Sequence, residues 1–208
     1  MTDDMVKELS CIEIEQQNKP TLLYKAYNNA RTAVVVIDMV NGFCKKGALA
    51  SPNVGRLITP IGALLDYLPQ AKKFFIIDYH SPEALEFKVF PPHCHTAEES
   101  AVVSELESYV ETLVKKNSTN GIFAFLAKTD TGLFDNFIVV GDCTDICILQ
   151  FCLSLCAYLN EKGQHANVIT LTDCVATFEG NMHSAALLDT VALKLMEQSG
   201  VAVFKTLK

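Results

Sequence analysis

Five short runs of β-branched and aromatic residues, separated by helical patterns, constrain this chain more than any other feature. They are "TAVVVIDM" (from Thr32), "KFFIIDY" (Lys73–Tyr79), "FIVVGDC" (Phe137–Cys143), "ANVITLTD" (Ala166–Asp173) and "VAVFKT" (Val201–Thr206), with a weaker run, "ETLVKK", ending at Lys116. The first three are continuously apolar rather than alternating, the pattern of a strand covered on both faces. Helical patterns fill the intervals: 54–68, with Pro60 starting or kinking a segment; about 98–108; 144–163, closed by Gly163; and "MHSAALLDTVALKLMEQSG", closed by Gly200. Strand–helix alternation predicts a three-layer α/β/α fold with a mainly parallel, roughly six-stranded sheet.

The 208 residues suit one domain, read here as 31–208, behind a polar N-terminal extension, 1–30, that packs on the domain or on a partner subunit. The net charge of -7 and the lack of a Lys/Arg cluster argue against a nucleic-acid surface. No apolar run approaches the roughly 18–20 residues of a membrane span, and the first residues have no apolar signal core. A cytoplasmic location is therefore expected, and the eight cysteines are expected as reduced thiols.

Parallel α/β sheets place their sites at the carboxyl ends of the strands. That rule marks Asp38, Asp78, Lys115 or Lys116, Asp142, Cys143 and Asp173 as residues that should meet on one rim. In "GDCTDIC", Thr144 is a candidate N-cap, which puts Cys147 in the first turn of the following helix. A thiol there feels the positive end of the helix dipole and is expected to ionise more readily. Alone, Cys147 is equally well read as one more buried apolar cysteine, Asp38 as a strand-end cap and Lys116 as a solvated lysine. Together they are chemically complete: a thiolate to attack, a carboxylate to shuttle the proton and an ammonium to tune both.

"VVVIDMVNGF", "DYH…EFKVFPPHC", "KKNSTNGIF" and "VVGDCTDICI" follow one another in the order found in the isochorismatase-like cysteine hydrolases, and the chain resembles their nicotinamidase branch over about residues 32–205. The resemblance implies hydrolysis of nicotinamide to nicotinate and ammonia through a cysteine thioester, a step of NAD salvage. It puts the catalytic roles on Asp38, Lys116 and Cys147, with Lys115 the less favoured lysine. It also implies a cis peptide between Asp142 and Cys143, with the amides of Cys143 and Cys147 forming an oxyanion hole. Phe43 and Phe90 fall on its aromatic wall positions. A homo-oligomer is expected.

The resemblance further implies a metal site. Asp78 and His80 match its D-x-H pair, His93 its histidine after Pro-Pro, and Glu86 an acidic ligand used by some members. Two carboxylates and two imidazoles suit one divalent ion, zinc first, iron or manganese otherwise. Its open position would take the pyridine nitrogen of the substrate. His95, outside the matched position, is read as exposed, Asp173 as structural and His183 as a helix-surface or interface residue. The chain departs from the family at Val40, where glutamine is common, at Phe90, where tryptophan is common, and at Ile122, which intervenes before Phe123. The competing readings are a metal-free hydrolase acting on another small amide or a vinyl ether, an inert binding member of the superfamily, and a redox protein built on Cys143 and Cys147. The C-x3-C spacing of that pair does not match the C-x-x-C redox motif.

Overall fold

A computed structural model describes residues 3–208. Six strands form one sheet: β1 (Thr32–Ile37), β2 (Lys72–Asp78), β3 (Thr112–Lys116), β4 (Asn136–Asp142), β5 (Asn167–Ala176) and β6 (Ala202–Phe204). Their order is β3-β2-β1-β4-β5-β6, and every neighbouring pair is parallel. The helices are α1 (Asp3–Gln17), α2 (Asn41–Cys44), α3 (Pro52–Gly55), α4 (Ile58–Tyr67), α5 (Ile122–Leu126), α6 (Leu149–Lys162) and α7 (Ala185–Gln198).

The continuous apolar runs divide their side chains between two cores. Val34 and Val36 of β1 pack with Ile61, Leu64 and Leu65 of α4 on one face. Ala33, Val35 and Ile37 pack with Phe125 of α5, Phe151 of α6 and Met196 of α7 on the other. This is the three-layer sandwich that the pattern predicts. Gly163 closes α6 in the left-handed conformation, at φ 62°, as its position implies.

The structure departs from the sequence reading in four places. Residues 98–108 form no helix beyond a short 3-10 turn at Glu107–Tyr109. Their backbone pairs instead with residues 39–42: Asn41 N donates to Ala101 O, Gly42 N to Glu99 O and Val103 N to Met39 O. Tertiary pairing overrides the local pattern there. Strand β5 runs on to Ala176 through a bulge, its register slipping between the Val139–Thr170 and Gly141–Val175 pairs. Asp173 lies in that bulge, exposed, and so never reaches the rim. Thr144 does not cap α6, because residues Thr144–Ile148 form a π-turn ahead of it with no side-chain cap. Finally, the polar N-terminal segment contains a helix: α1 lies along α7, where Lys194 pairs with Glu15 at 2.8 Å, Lys19 pairs with Glu197, and Gln16 donates to Glu197 at 2.9 Å.

Candidate active site

Asp38 follows β1 and turns at once, with φ at 57°. A non-glycine residue in that region needs a local reason. Here its Oδ1 accepts the Asp78 amide at 2.8 Å, locking one strand end to the next. Lys116, the last residue of β3, points inward and is 2 % exposed. Lys115, one residue earlier and therefore on the opposite face, lies over the Tyr79 ring at 3.6 Å. Lys116 Nζ forms an ion pair with Asp38 Oδ2 at 2.9 Å, bonds Asp78 Oδ1, and lies 3.9 Å from Cys147 Sγ. Cys147, on the π-turn, is buried. The Asp142–Cys143 peptide that precedes this turn is cis.

Burial dominates the electrostatics. It raises the Asp38 carboxyl to about 6, helped by neighbouring Asp78 and opposed by Lys116 and the Cys147 thiol. Burial opposes charge on Asp78 too, but Lys116 and the two imidazoles outweigh it and hold that carboxylate below its ordinary range. Lys116 is held above its ordinary value: burial disfavours the ammonium, yet Asp38 and Asp78 more than compensate. The Cys147 thiol goes the other way from the sequence expectation. Burial pushes it well above its ordinary value, and Lys116 only partly offsets this. Burial thus works against the thiolate at this helix start, and a carboxylate beside the sulfur favours its formation by accepting the proton. Asp142, buried next to Asp38, is pushed up in the same way.

The second group is Asp78, His80 and His93, all at most 3 % exposed, with ligand atoms within 4.8 Å of one another. Asp78 Oδ2 lies 3.4 Å from His80 Nε2 and 3.5 Å from His93 Nε2. Ligands about 2.0–2.1 Å from a tetrahedral ion stand roughly 3.3 Å apart, so the spacing fits one such ion. The Nδ1 atoms are already engaged: His80 Nδ1 lies 3.2 Å from Asn117 Oδ1, and His93 Nδ1 lies 2.8 Å from the Pro91 carbonyl. Such outer contacts fix the tautomer and turn both Nε2 atoms inward. His80 Nε2 is buried with no hydrogen-bond partner, as an unfilled ligand would be. The donor set thus fits a divalent metal.

Glu86 stands apart from this group. Its Oε2 is 3.7 Å from His80 Nε2, while its Oε1 accepts from Thr119 Oγ1 at 2.7 Å and from the Thr119 amide. His95 is turned outward by the positive φ of Cys94, 44°, and pairs with Glu99 at 3.6 Å.

Both groups open on one narrow pocket of about 50 Å³. Phe43 and Phe90 line it, and both rings also approach His93, at 5.5 and 6.2 Å between centroids. Leu49, Thr119, Ile146 and Phe178 line it as well. Sequence reasoning missed these four and Asn117. The run "NSTN" directly after Lys116 was the available signal for Asn117 and Thr119, since amide and hydroxyl side chains at a strand end readily orient ligands. His183 is not on the helix surface. It precedes α7, donates from Nδ1 to the Phe178 carbonyl at 3.0 Å and has Nε2 3.0 Å from Asp145 Oδ2. Behind the π-turn, Asp189 of α7 is raised to about 6, chiefly by burial, with Thr144 opposing.

The isochorismatase-domain pattern matches residues 32–206, most of the chain. The chain belongs to the isochorismatase family. It is an isochorismatase-like hydrolase, and the site above is the candidate active site of that fold. A curated relative, nicotinamidase 1 of Arabidopsis thaliana, is 25% identical over 194 residues, covering 81% of this chain and 78% of its own. Among solved structures, N-carbamoylsarcosine amidase from Thermoplasma acidophilum superposes with a TM-score of 0.68 at 21% identity, over 84% of this chain and 96% of its own. The pyrazinamidase of Pyrococcus horikoshii in complex with zinc gives 0.66 at 18% identity, over 84% and 99%. At these identities the structural likenesses establish the fold. No helix among the described residues is long and apolar enough to cross a membrane.

Proposed function

We propose that this hydrolase is a metal-dependent amidase acting on nicotinamide. The observation that carries the reading is the Asp78–His80–His93 group, which opens on the same aromatic-walled pocket as the Cys147–Asp38–Lys116 set. The nicotinamidase relative and the zinc-bound pyrazinamidase support it.

In this reading Asp38 takes the proton from Cys147 Sγ, which burial otherwise keeps on the sulfur, and Lys116 stabilises the thiolate. The sulfur attacks the carboxamide carbon, and the amides of Cys143 and Cys147 receive the developing oxyanion. Asp38 passes its proton to the departing ammonia. It then removes a proton from the water that hydrolyses the thioester. Phe43 and Phe90 hold the ring between them. Asp78, His80 and His93 would hold the divalent ion, with Glu86 behind them on Thr119, and when bound it would supply a Lewis-acid anchor for the pyridine nitrogen. Zinc suits the nitrogen-rich set best, ahead of iron or manganese.

The deciding assay measures ammonia release from nicotinamide before chelation, after chelation and after metal add-back. Turnover that falls on chelation and returns with zinc is expected. Unchanged turnover in metal-free protein would leave a metal-free amide hydrolase in its place.

A further inference from the structure

Phe178 lies at a boundary. It and Leu49 line the catalytic pocket, and the same two residues line an outer cavity of about 330 Å³ bordered by Ala48, Ser51, Asn53 and Glu179. The side chains of Leu49 and Phe178 are therefore the wall between a narrow inner slot and a wider space beyond.

The wall is built to stay in place. The Phe178 ring stacks on the His183 ring, with centroids 3.8 Å apart and planes 10° from parallel. His183 is fixed at both nitrogens, by the Phe178 carbonyl and by Asp145, which shares the π-turn with Cys147. The loop carrying both rings is closed on itself, because Gly180 N donates to His183 O and His183 N to Gly180 O. A Cβ at Gly180 would press on the Phe178 ring at 3.2 Å, so glycine is what lets the loop fold so close to that ring. Asn53 Nδ2 donates to the Thr177 carbonyl at 3.2 Å, and Glu179 accepts the Ala185 amide at 3.0 Å. A half-buried phenylalanine held from this many sides has a fixed position, and a fixed apolar wall discriminates by size.

We propose that Phe178 is the partition that limits the size of the aryl amide this pocket accepts, and that His183, anchored on Asp145, is the positioning residue that holds it. The inference rests on the aryl-amide reading above and adds the residue that sets its upper size limit. The acyl groups excluded are fused or ring-extended aromatics, whose second ring would have to occupy the place of Phe178.

Two measurements test this. The first compares kcat/KM for nicotinamide and for quinoline-3-carboxamide. Phe178→Ala should shift the ratio toward the larger amide by about tenfold or more, through KM rather than kcat. His183→Ala should shift it in the same direction by less, and His183→Phe, which restores a flat ring beneath Phe178, should recover part of the loss. The second does not need turnover. The rates at which Cys147 is alkylated by iodoacetamide and by N-(1-naphthyl)iodoacetamide are followed by mass spectrometry in wild type, Phe178→Ala and the milder Phe178→Leu. The naphthyl reagent should gain relative to iodoacetamide in both variants, more in the alanine. If wild type fails to hydrolyse nicotinamide yet the labelling ratio shifts, the substrate reading falls and the partition stands. An unchanged labelling ratio in folded Phe178→Ala and Phe178→Leu overturns the partition whatever the substrate.

Discussion

Around Cys147, two charged side chains come from the ends of β1 and β3, on either side of β2, and the sulfur from the turn after β4. Around His80 and His93, the ligands come from one strand end and a loop with little regular structure. The first half is held by the sheet itself. Asp38 accepts the Asp78 amide, and Lys116 bridges both carboxylates. The second half is held by local bonds to the outer face of each ring, from Asn117 and from the Pro91 carbonyl. A sheet gives geometry that survives changes in the loops, whereas a loop site depends on each of its few bonds. Chemistry and binding should therefore fail separately, although Asp78 belongs to both halves.

The sharpest break of that comparison is at the nucleophile. Cys147→Ala should abolish amide turnover, a loss of several orders of magnitude, while metal content stays at the wild-type level. Asp38→Asn, which keeps the shape and removes the base, should lose roughly 10²–10⁴-fold. Steady-state kinetics beside elemental analysis reads both, and near-normal turnover in the alanine variant would end the assignment.

A middle-sized effect comes from the other half. His93→Ala should lose the metal and raise KM for nicotinamide by at least the roughly 10–100-fold that weaker perturbations of a metal site cost. Cys147 in that variant should still react with a thiol reagent at a rate near wild type. Loss of thiol reactivity together with the metal would mean that the halves are one unit.

The smallest effect probes what lies behind the nucleophile turn. Asp189 has a folded-state value raised from 3.8 to about 6, mainly by burial. Between those values the folded protein binds the proton and the unfolded chain does not, so stability falls as pH rises through the window. Asp189→Asn removes the titration. Wild type should therefore lose thermal stability relative to the variant from about pH 4 to about pH 6, with a constant gap above. Melting curves that stay parallel across the window would show that burial of Asp189 carries no cost.

The sequence was most readable where both faces of an element are buried. The runs starting at Thr32 and Phe137 became β1 and β4 to within a residue or two, because a two-sided core leaves no other way to hide them. Lys116 was separable from Lys115 only through the resemblance, which puts the lysine directly before "NSTNG"; in the fold the alternation of β3 turns Lys116 inward and Lys115 over Tyr79. Residues 98–108 misled because their apolar spacing serves backbone pairing with residues 39–42 rather than a helix face. Asp173 misled because a bulge cannot be read from one strand in isolation. The ionisation of Cys147 misled because a helix end is visible in sequence and the depth of burial is not. Phe178 was missed as a pocket residue because its place is set by stacking on His183, which in turn meets Asp145, a residue brought near only by folding.

Gly141, near the end of β4, has φ at 121°, and a Cβ there would collide with the carbonyl oxygen of Ile37 on β1. The two strands that deliver Asp38 and the Cys143 amide thus meet backbone to backbone, with no side chain between them. Over evolutionary drift, valines and isoleucines elsewhere in β1 and β4 can exchange and repack, because their cores tolerate substitutions of similar volume. The gap between the proton carrier and the oxyanion donor has no such adjustable spacer. Its width is inherited from the peptide skeleton, and any other residue at 141 would have to pry the two strands apart before it could be tried.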